Sequence, residues 1–138
     1  MGGFSDYTAQ ATINSLLLGS AMPEIDGLHL ALFTADPKDD NSGAANEVSA
    51  GWYQRQPCDS WTAPVSNADG VTGTQTANSA QVTFPATTGA SVTISHWGLY
   101  DAETGGNLLF SGALTTPRTL NVSDVMTLGV GQLTMLFS

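Results

Sequence analysis

Positively charged side chains are almost absent from this sequence of 138 residues. Lysine and arginine total three, whereas aspartate and glutamate total 12, which gives a formal net charge of −9 at pH 7. A phosphate-binding surface needs several cations close together. Lys38, Arg55 and Arg118 are too few to supply one. We therefore expect no direct binding to nucleic acid or to an anionic membrane surface.

Cysteine is nearly absent as well, since Cys58 is the only one. An intrachain disulfide is therefore impossible, and the fold must be stable without one. Long apolar runs are missing: the run Leu16–Leu18 falls far short of the roughly 20 residues that cross a bilayer. Residues 1–6 lack the basic and apolar regions of a secretion signal. These absences predict a soluble protein that is made in the cytoplasm.

The remaining composition is typical of one β-rich domain. A chain of this length buries roughly 65–70% of the surface that its unfolded form exposes, which is enough for one hydrophobic core. Charged residues make up only 11% of the sequence. Such a surface is typical of particle-borne domains and of oligomers whose faces are covered by other copies. We predict a single domain over 1–138, with an N-terminal helical segment at 1–19 and a β-sandwich at 20–138.

A short helix is predicted over residues 5–18. Ser5 or Asp6 can cap its first amide groups, and Gly19 can end it in the left-handed conformation. Pro23 prevents the helix from continuing further. The apolar residues of this segment fall near one helical face, and they are Ala9, Ile13, Leu16 and Leu17.

Beyond the helix, the apolar pattern changes to the alternation that is typical of β-strands. About eight strands are predicted, over 28–33, 52–56, 80–84, 91–100, 107–114, 119–122, 125–128 and 132–137. Residues 60–78 are predicted to form a long loop with at most short strands. Within 91–100 the apolar positions change phase, which predicts a β-bulge near Ser95 and His96. The pattern predicts a mainly β fold, a β-sandwich with a jelly-roll-like form as one version of it, preceded by one short helix.

Candidate chemical residues are few and form no standard constellation. Only Cys58 with His29 or His96 could form a Cys–His nucleophile pair. Both histidines, however, lie in predicted strands beside large apolar residues, and spacing alone supports no catalytic role. The loops 36–43 and 101–106 carry the oxygen donors that calcium favours, yet their spacing is not that of an EF-hand, and solvated turns explain them equally well. We predict a protein that is not an enzyme, with no catalytic, cofactor-binding or metal site and no cofactor.

Two further groups of residues leave alternatives open. Five aromatic residues can form either a sugar-stacking face or part of the core or of a subunit interface, and they are Trp52, Tyr53, Trp61, Trp97 and Tyr100. Arg55 and Arg118 stand almost alone among 12 acidic residues, so we expect each to pair with a carboxylate. A pair across a subunit boundary would help to set the register of the subunits.

Four segments of the chain, taken in order, carry a family resemblance. They are FSDY at 4–7, LALFTADP at 30–37, EVSAGWYQRQ at 47–56 and HWGLYDAETGGNLL at 96–109, which runs on to residue 114. Together they resemble small bacteriophage virion proteins of the kind labelled tail-fibre or decoration proteins. The segment 58–78 matches no part of that pattern.

The resemblance implies a structural role in the virion, without a known active site. We favour a homotrimeric capsid decoration or cement protein that stabilises the particle through subunit contacts, with the major capsid protein or other virion proteins as partners. The alternative is a tail-fibre or tail-tip module that binds a host-surface glycan through the aromatic residues. In an assembly, neighbours would cover sheet edges and apolar patches. The helix at 5–18 or the loop at 60–78 is the segment we expect to reach an adjacent subunit.

Overall fold

The structure, a computed structural model, describes residues 2–137 apart from the side chain of Asp69. Its elements are β1 (Gly2–Phe4), α1 (Asp6–Leu18), β2 (His29–Phe33), β3 (Gln56–Pro57), β4 (Val65–Ser66), β5 (Thr74–Ala77), β6 (Val82–Thr83), β7 (Val92–Tyr100), β8 (Leu108–Leu120), β9 (Thr127–Leu128) and β10 (Thr134–Phe137). Single turns of 3-10 helix lie at Ala44–Asn46 and Ala68–Gly70. The predicted class, mainly β with one N-terminal helix, is confirmed.

Eight of the strands form one curled sheet, in the order β3-β2-β7-β8-β1-β10-β5-β4, and β6 pairs with β9 in a separate ribbon. The ribbon supplies the second layer of the fold, because its Val82 and Leu128 are buried in the same core as Leu30 and Leu32 of the sheet. The strand order does not confirm the jelly-roll version of the prediction. Among the described residues, no helix is long and apolar enough to span a membrane.

The N-terminal strand β1 is the main departure from the sequence prediction. The helical segment predicted over 1–19 includes Gly2–Phe4, but these residues lie in the sheet, antiparallel to β8 and parallel to β10. The ring of Trp97 covers this position: a Cβ atom on Gly2 would lie 2.4 Å from it, and one on Gly112 would lie 2.9 Å from it. Glycine at both positions therefore gives the indole ring the space that it occupies.

The bulge predicted in β7 is confirmed. Its register with β8 breaks between Ile94 and His96, where Ser95 alone faces the four β8 residues 114–117. The bulge reverses the alternation of side chains along the strand. Ile94 and Trp97, which are out of phase in the sequence, are consequently both buried in the main core.

Several predicted strands have different bounds in the structure, and two of them differ most. The strand expected over 52–56 is limited to Gln56–Pro57, because the chain turns before it, with the amide of Tyr53 donating to the carbonyl of Ala50 at 3.0 Å. The strand expected over 119–122 is the end of β8. The segment 60–78 holds only β4, β5 and one turn of 3-10 helix, as predicted.

Candidate functional site

Helix α1 has the predicted caps and lies on the outside of the sheet. The Oγ atom of Ser5 accepts a hydrogen bond from the Thr8 amide at 3.1 Å, and Gly19 ends the helix with a φ of 75°. The Oγ1 atom of Thr8 donates to the carbonyl of Leu109 in β8 at 2.8 Å, which attaches the helix to the sheet. Despite this attachment, no residue of α1 is buried.

The apolar face of α1 is turned away from the sheet. Ile13 is 52% exposed, Leu16 is 78% exposed and Leu17 is 76% exposed, and we call these three residues the outer helix face. The half-buried residues of the helix are all polar or small, and they are Thr8, Ala9, Ala11, Thr12 and Ser15. Burying a side chain of the size of leucine contributes roughly 1.5–3 kcal/mol. A contiguous group of this kind is typical of a surface that another chain covers.

An apolar groove of about 340 Å³ lies between α1, the segment that follows it, and β8. We call it the apolar groove, and its walls include Ala11, Met22, Ile25, Leu28 and Leu109. Asp59 lies at its edge, where the Oδ1 atom accepts a hydrogen bond from the Leu28 amide at 2.7 Å. The groove joins segments that are distant in sequence, so the alternation of residues along any one segment does not predict it.

A second, polar hollow adjoins the groove at the N-terminal end of α1. It has a volume of about 360 Å³ and is lined by Asp6, Asp39 and Asp40, while Tyr7 lines both hollows. The backbone holds α1 and the loop 36–43 together here, because the Asp6 amide donates to the carbonyl of Asp39 at 2.8 Å. The surface along α1 therefore combines apolar walls with acidic ends.

Arg55 is buried and paired within the chain, as the sequence predicts. Its Nε and Nη2 atoms donate to the two carboxylate oxygens of Glu47, both at 2.8 Å. Its Nη1 atom donates to the carbonyls of Ala102 and Gly105, and its guanidinium carbon lies 3.8 Å from the centre of the Tyr100 ring. Burial alone would lower the pKa of Arg55, but the hydrogen bond and the charge of Glu47 outweigh burial and raise it.

Two tyrosines extend this cluster to the acidic loops. The hydroxyl of Tyr53 donates to Glu47 at 2.5 Å, and the hydroxyl of Tyr100 donates to Asn41 in the loop 36–43 at 2.8 Å. Burial, followed by the bond to Glu47, raises the pKa of Tyr53. Burial likewise raises the pKa of Tyr100, to about 12. Because Arg55 holds the hairpin 101–106 and Tyr100 holds the loop 36–43, the cluster fixes both loops against the sheet.

Arg118, the other arginine, has a backbone carbonyl rather than a carboxylate as its partner. The Nη1 atom of Arg118 donates to the carbonyl of Thr127 at 2.9 Å. Among the described side chains, no carboxylate lies within ion-pair distance of Arg118, so the expected pairing is found only for Arg55.

The structure does not bring Cys58 and the histidines into one site. Cys58 is buried in the main core, against which Leu28 also packs. His29 follows Leu28 in the chain, so its side chain points to the opposite face of the sheet, away from Cys58. His96 contacts Ser95, with 2.8 Å between its Nδ1 atom and the serine Oγ atom. Burial, then the nearby Asp59, raises the pKa of Cys58 to about 11. A nucleophilic thiol needs the opposite shift.

The carboxylates of the two acidic loops bind their own backbone. Asp36 accepts a hydrogen bond from the Lys38 amide at 2.8 Å, and Asp40 accepts one from the Ser42 amide at 2.9 Å. Hydrogen bonds from Ser42 lower the pKa of Asp40. Asp101 accepts a hydrogen bond from the Asn107 amide at 2.7 Å. No three His, Cys, Asp or Glu residues with described side chains are grouped so that they could hold a metal ion.

The aromatic residues considered for sugar stacking belong mainly to the core. Trp52, Trp97 and Tyr100 are buried. Tyr53 and Trp61 are half-buried and pack against the main core, and the Nε1 atom of Trp61 donates to the carbonyl of Cys58 at 2.9 Å. The five residues therefore do not form a common exposed face.

Comparison with the models of protein families finds a match. The model of a protein family, described as podophage GP4 fiber I protein gp80, matches residues 3–136. The match includes α1, both hollows beside the helix and β1 from Gly3 onwards. Among the curated proteins, none matches the chain.

Proposed function

This chain belongs to the podophage GP4 fiber I protein gp80 family, and we propose that it is a homotrimeric fibre subunit, assembled through its outer helix face. Membership of the family confirms the resemblance to bacteriophage virion proteins and indicates a location in the phage particle. The protein is thus a structural component of the virion. Beyond that role, we propose the trimer, its contact surface and its place in a fibre.

The observation that carries the proposal is the direction of the apolar residues of α1. Ile13, Leu16 and Leu17 are separated by the three- and four-residue steps that bring side chains together in helix bundles. The stretch 7–23 contains no charged residue. Three copies can therefore bring their helices together without placing like charges in contact, although each chain carries a net charge of −9.

Capsid decoration is the competing role within the virion. We favour the fibre because the description of the family names a fibre, while the outer helix face serves a trimer in either location. Antibody labelling of purified particles, viewed by electron microscopy, separates the two roles. Label at the tail or on fibres is expected, and label spread over the capsid would instead indicate decoration.

Glycan binding through the aromatic residues receives less support, because three of the five are buried. An array of bacterial surface glycans tests that role directly. We expect no binding that depends on Tyr53 or Trp61, the two half-buried members of the group.

Light scattering after size-exclusion chromatography tests the trimer. We expect the purified chain to have three times the mass of one copy, and Leu16→Gln/Leu17→Gln to have the mass of one, because glutamine preserves the helix while removing the apolar contact. The control is Val122→Gln/Val130→Gln, which changes two exposed valines outside α1 and should remain trimeric. A monomeric parent chain, or a trimer that survives the leucine changes, overturns the proposal.

A further inference from the structure

We propose that the apolar groove and its acidic ends dock a cationic amphipathic segment of a different virion protein. This inference goes beyond the proposed trimer, because the groove lies on the side of α1 opposite to the outer helix face. The groove thus gives each subunit a second contact surface. That surface would connect the subunit to a partner of different composition.

The middle of the groove is suited to apolar side chains. Met22 is 51% exposed and Ile25 is 39% exposed, and both line the groove together with the buried Leu109 of β8. The volume of about 340 Å³ accommodates several side chains of an inserted segment. Apolar anchors of this kind supply most of the affinity of a docked helix or strand.

Carboxylates lie at both ends of the groove. Asp6, Asp39 and Asp40 line the hollow at one end, where Lys38 offsets part of their charge. At the other end Asp59 lines the groove, and the exposed residues Glu24 and Asp26 flank Ile25 in the chain. Six of the 12 acidic residues thus line the two hollows or lie next in the chain to a residue that lines the groove. This arrangement attracts a partner that presents lysine or arginine on both sides of its apolar residues.

A second copy of this chain does not have the complementary charges. Of its three cations, Arg55 is buried and bound to Glu47, which leaves Lys38 and Arg118. Its own uncharged stretch 7–23 would fill the groove but leave the carboxylates without partners. Pairing two grooves would place the acidic ends against each other, which like-charge repulsion opposes. The charge pattern therefore favours another protein.

Photo-crosslinking in purified particles tests the identity of the occupant. Ile25 is replaced by p-benzoylphenylalanine, and the crosslinked peptides are sequenced by mass spectrometry; Val130, exposed and outside the groove, is the control position. We expect Ile25 to capture a Lys- or Arg-containing apolar segment of another virion protein and Val130 not to capture it. A crosslink to a second copy of this chain, or no crosslink at Ile25, overturns the inference.

A titration with a designed peptide tests the charge pattern without the unknown partner. The probe is a helical peptide with leucine on one face and lysine on the other, and its matched form carries glutamate in place of lysine. Glu24→Gln/Asp26→Asn should weaken binding of the lysine peptide roughly three- to tenfold. Glu103→Gln/Asp124→Asn removes the same charge outside the groove and should have less effect.

Equal weakening by both double variants would show non-specific attraction to an acidic protein and would overturn the inference. So would equal binding of the lysine and glutamate peptides. The oligomeric state is measured on the same samples. A trimer that fails to bind the peptide rejects the groove partner alone, whereas a monomer that binds it rejects only the proposed trimer.

Discussion

At Gly112 a single added methyl group would meet two neighbours at once. A Cβ atom there would lie 2.8 Å from the Cα atom of Gly2 and 2.9 Å from the Trp97 ring. Neither the backbone of Gly2 nor the buried indole ring of Trp97 can move away easily to make room for this methyl group. We expect Gly112→Ala to lower the free energy of unfolding by about 2 kcal/mol or more.

Urea unfolding of Gly112→Ala beside Gly3→Ala measures this effect. Gly3 lies in the same strand pair, but a Cβ atom on it has no neighbour within 4 Å. Its variant should therefore retain the stability of the parent chain. Similar losses in both variants would show that strand glycines as such, rather than the space under Trp97, determine the result.

Alkaline pH should destabilise the fold through Cys58 and Tyr100. Burial raises the pKa of Cys58 from its ordinary value of 9.0 to about 11, and that of Tyr100 from 10.0 to about 12. Because the folded state favours the protonated forms, their stabilising effect is complete below the lower value and is lost as pH rises to the higher one. The stabilising effect of Cys58 is thus lost between pH 9 and 11, and that of Tyr100 is lost between pH 10 and 12.

Urea unfolding at a series of pH values above neutrality measures this loss. The free energy of unfolding should fall as pH rises through this range. Cys58→Ala removes the thiol that titrates, so its stability should fall less steeply than that of the parent chain between pH 9 and 10. A parent chain whose stability stays constant to pH 11 contradicts the prediction.

Among the elements, β1 has only three residues but a large expected effect on stability. Its three residues separate β8 from β10, so removing residues 1–4 leaves two unpaired strand edges inside the sheet. We expect the melting temperature to fall by more than about 5 °C. Amide exchange at Ser111 and Gly112 should also become faster, since these residues face β1.

The control for this truncation is Val122→Gln/Val130→Gln, because its changes are exposed, leave β1 intact and should leave the proposed trimer assembled. A truncated chain with the melting temperature of the parent contradicts the prediction. Deleting residues 1–19 would remove β1 together with α1. Substitutions on the outer helix face are therefore the better test of the helix.

Local sequence patterns predicted the elements that depend on local physics. Ser5 and Gly19 determined the ends of α1, and the change of phase between Ile94 and Trp97 located the bulge in β7. Strand β1 was missed because the two glycines in its three residues show no alternation. Its pairing depends on β8 and β10, which lie more than 100 residues further along the chain.

The surfaces beside α1 mark a second limit of sequence reasoning. Periodicity places Ala9, Ile13, Leu16 and Leu17 on one helical face, but it does not determine whether that face packs inward or outward. The direction depends on the far side of the helix, where Thr8 bonds to Leu109. The apolar groove depends likewise on where Met22 and Ile25 come to lie against β8.

For the whole molecule, net charge should control assembly. Each copy carries −9, so three copies repel one another at a distance even though their helices meet without charge. The screening length falls from about 30 Å at 0.01 M salt to about 10 Å at 0.1 M. Sedimentation equilibrium should show tighter self-association as salt rises through this range.

Docking of a cationic segment in the apolar groove should have the opposite salt dependence, because screening weakens attraction as well as repulsion. The two surfaces of α1 can thus be distinguished in one series of buffers. Self-association that weakens as salt is added would contradict the charge argument for the outer helix face.

The position of β1 also constrains the order in which a nascent chain can fold. Gly2 is synthesised more than 100 residues before its partners Gly112 and Met135, so it stays unpaired while the ribosome adds the residues between them. Contacts so distant in sequence slow folding. Until they form, the waiting strand and the open edge of β8 can pair with those of another unfinished chain. Correct folding therefore requires that β1 pairs with β8 of its own chain faster than with β8 of another unfinished chain.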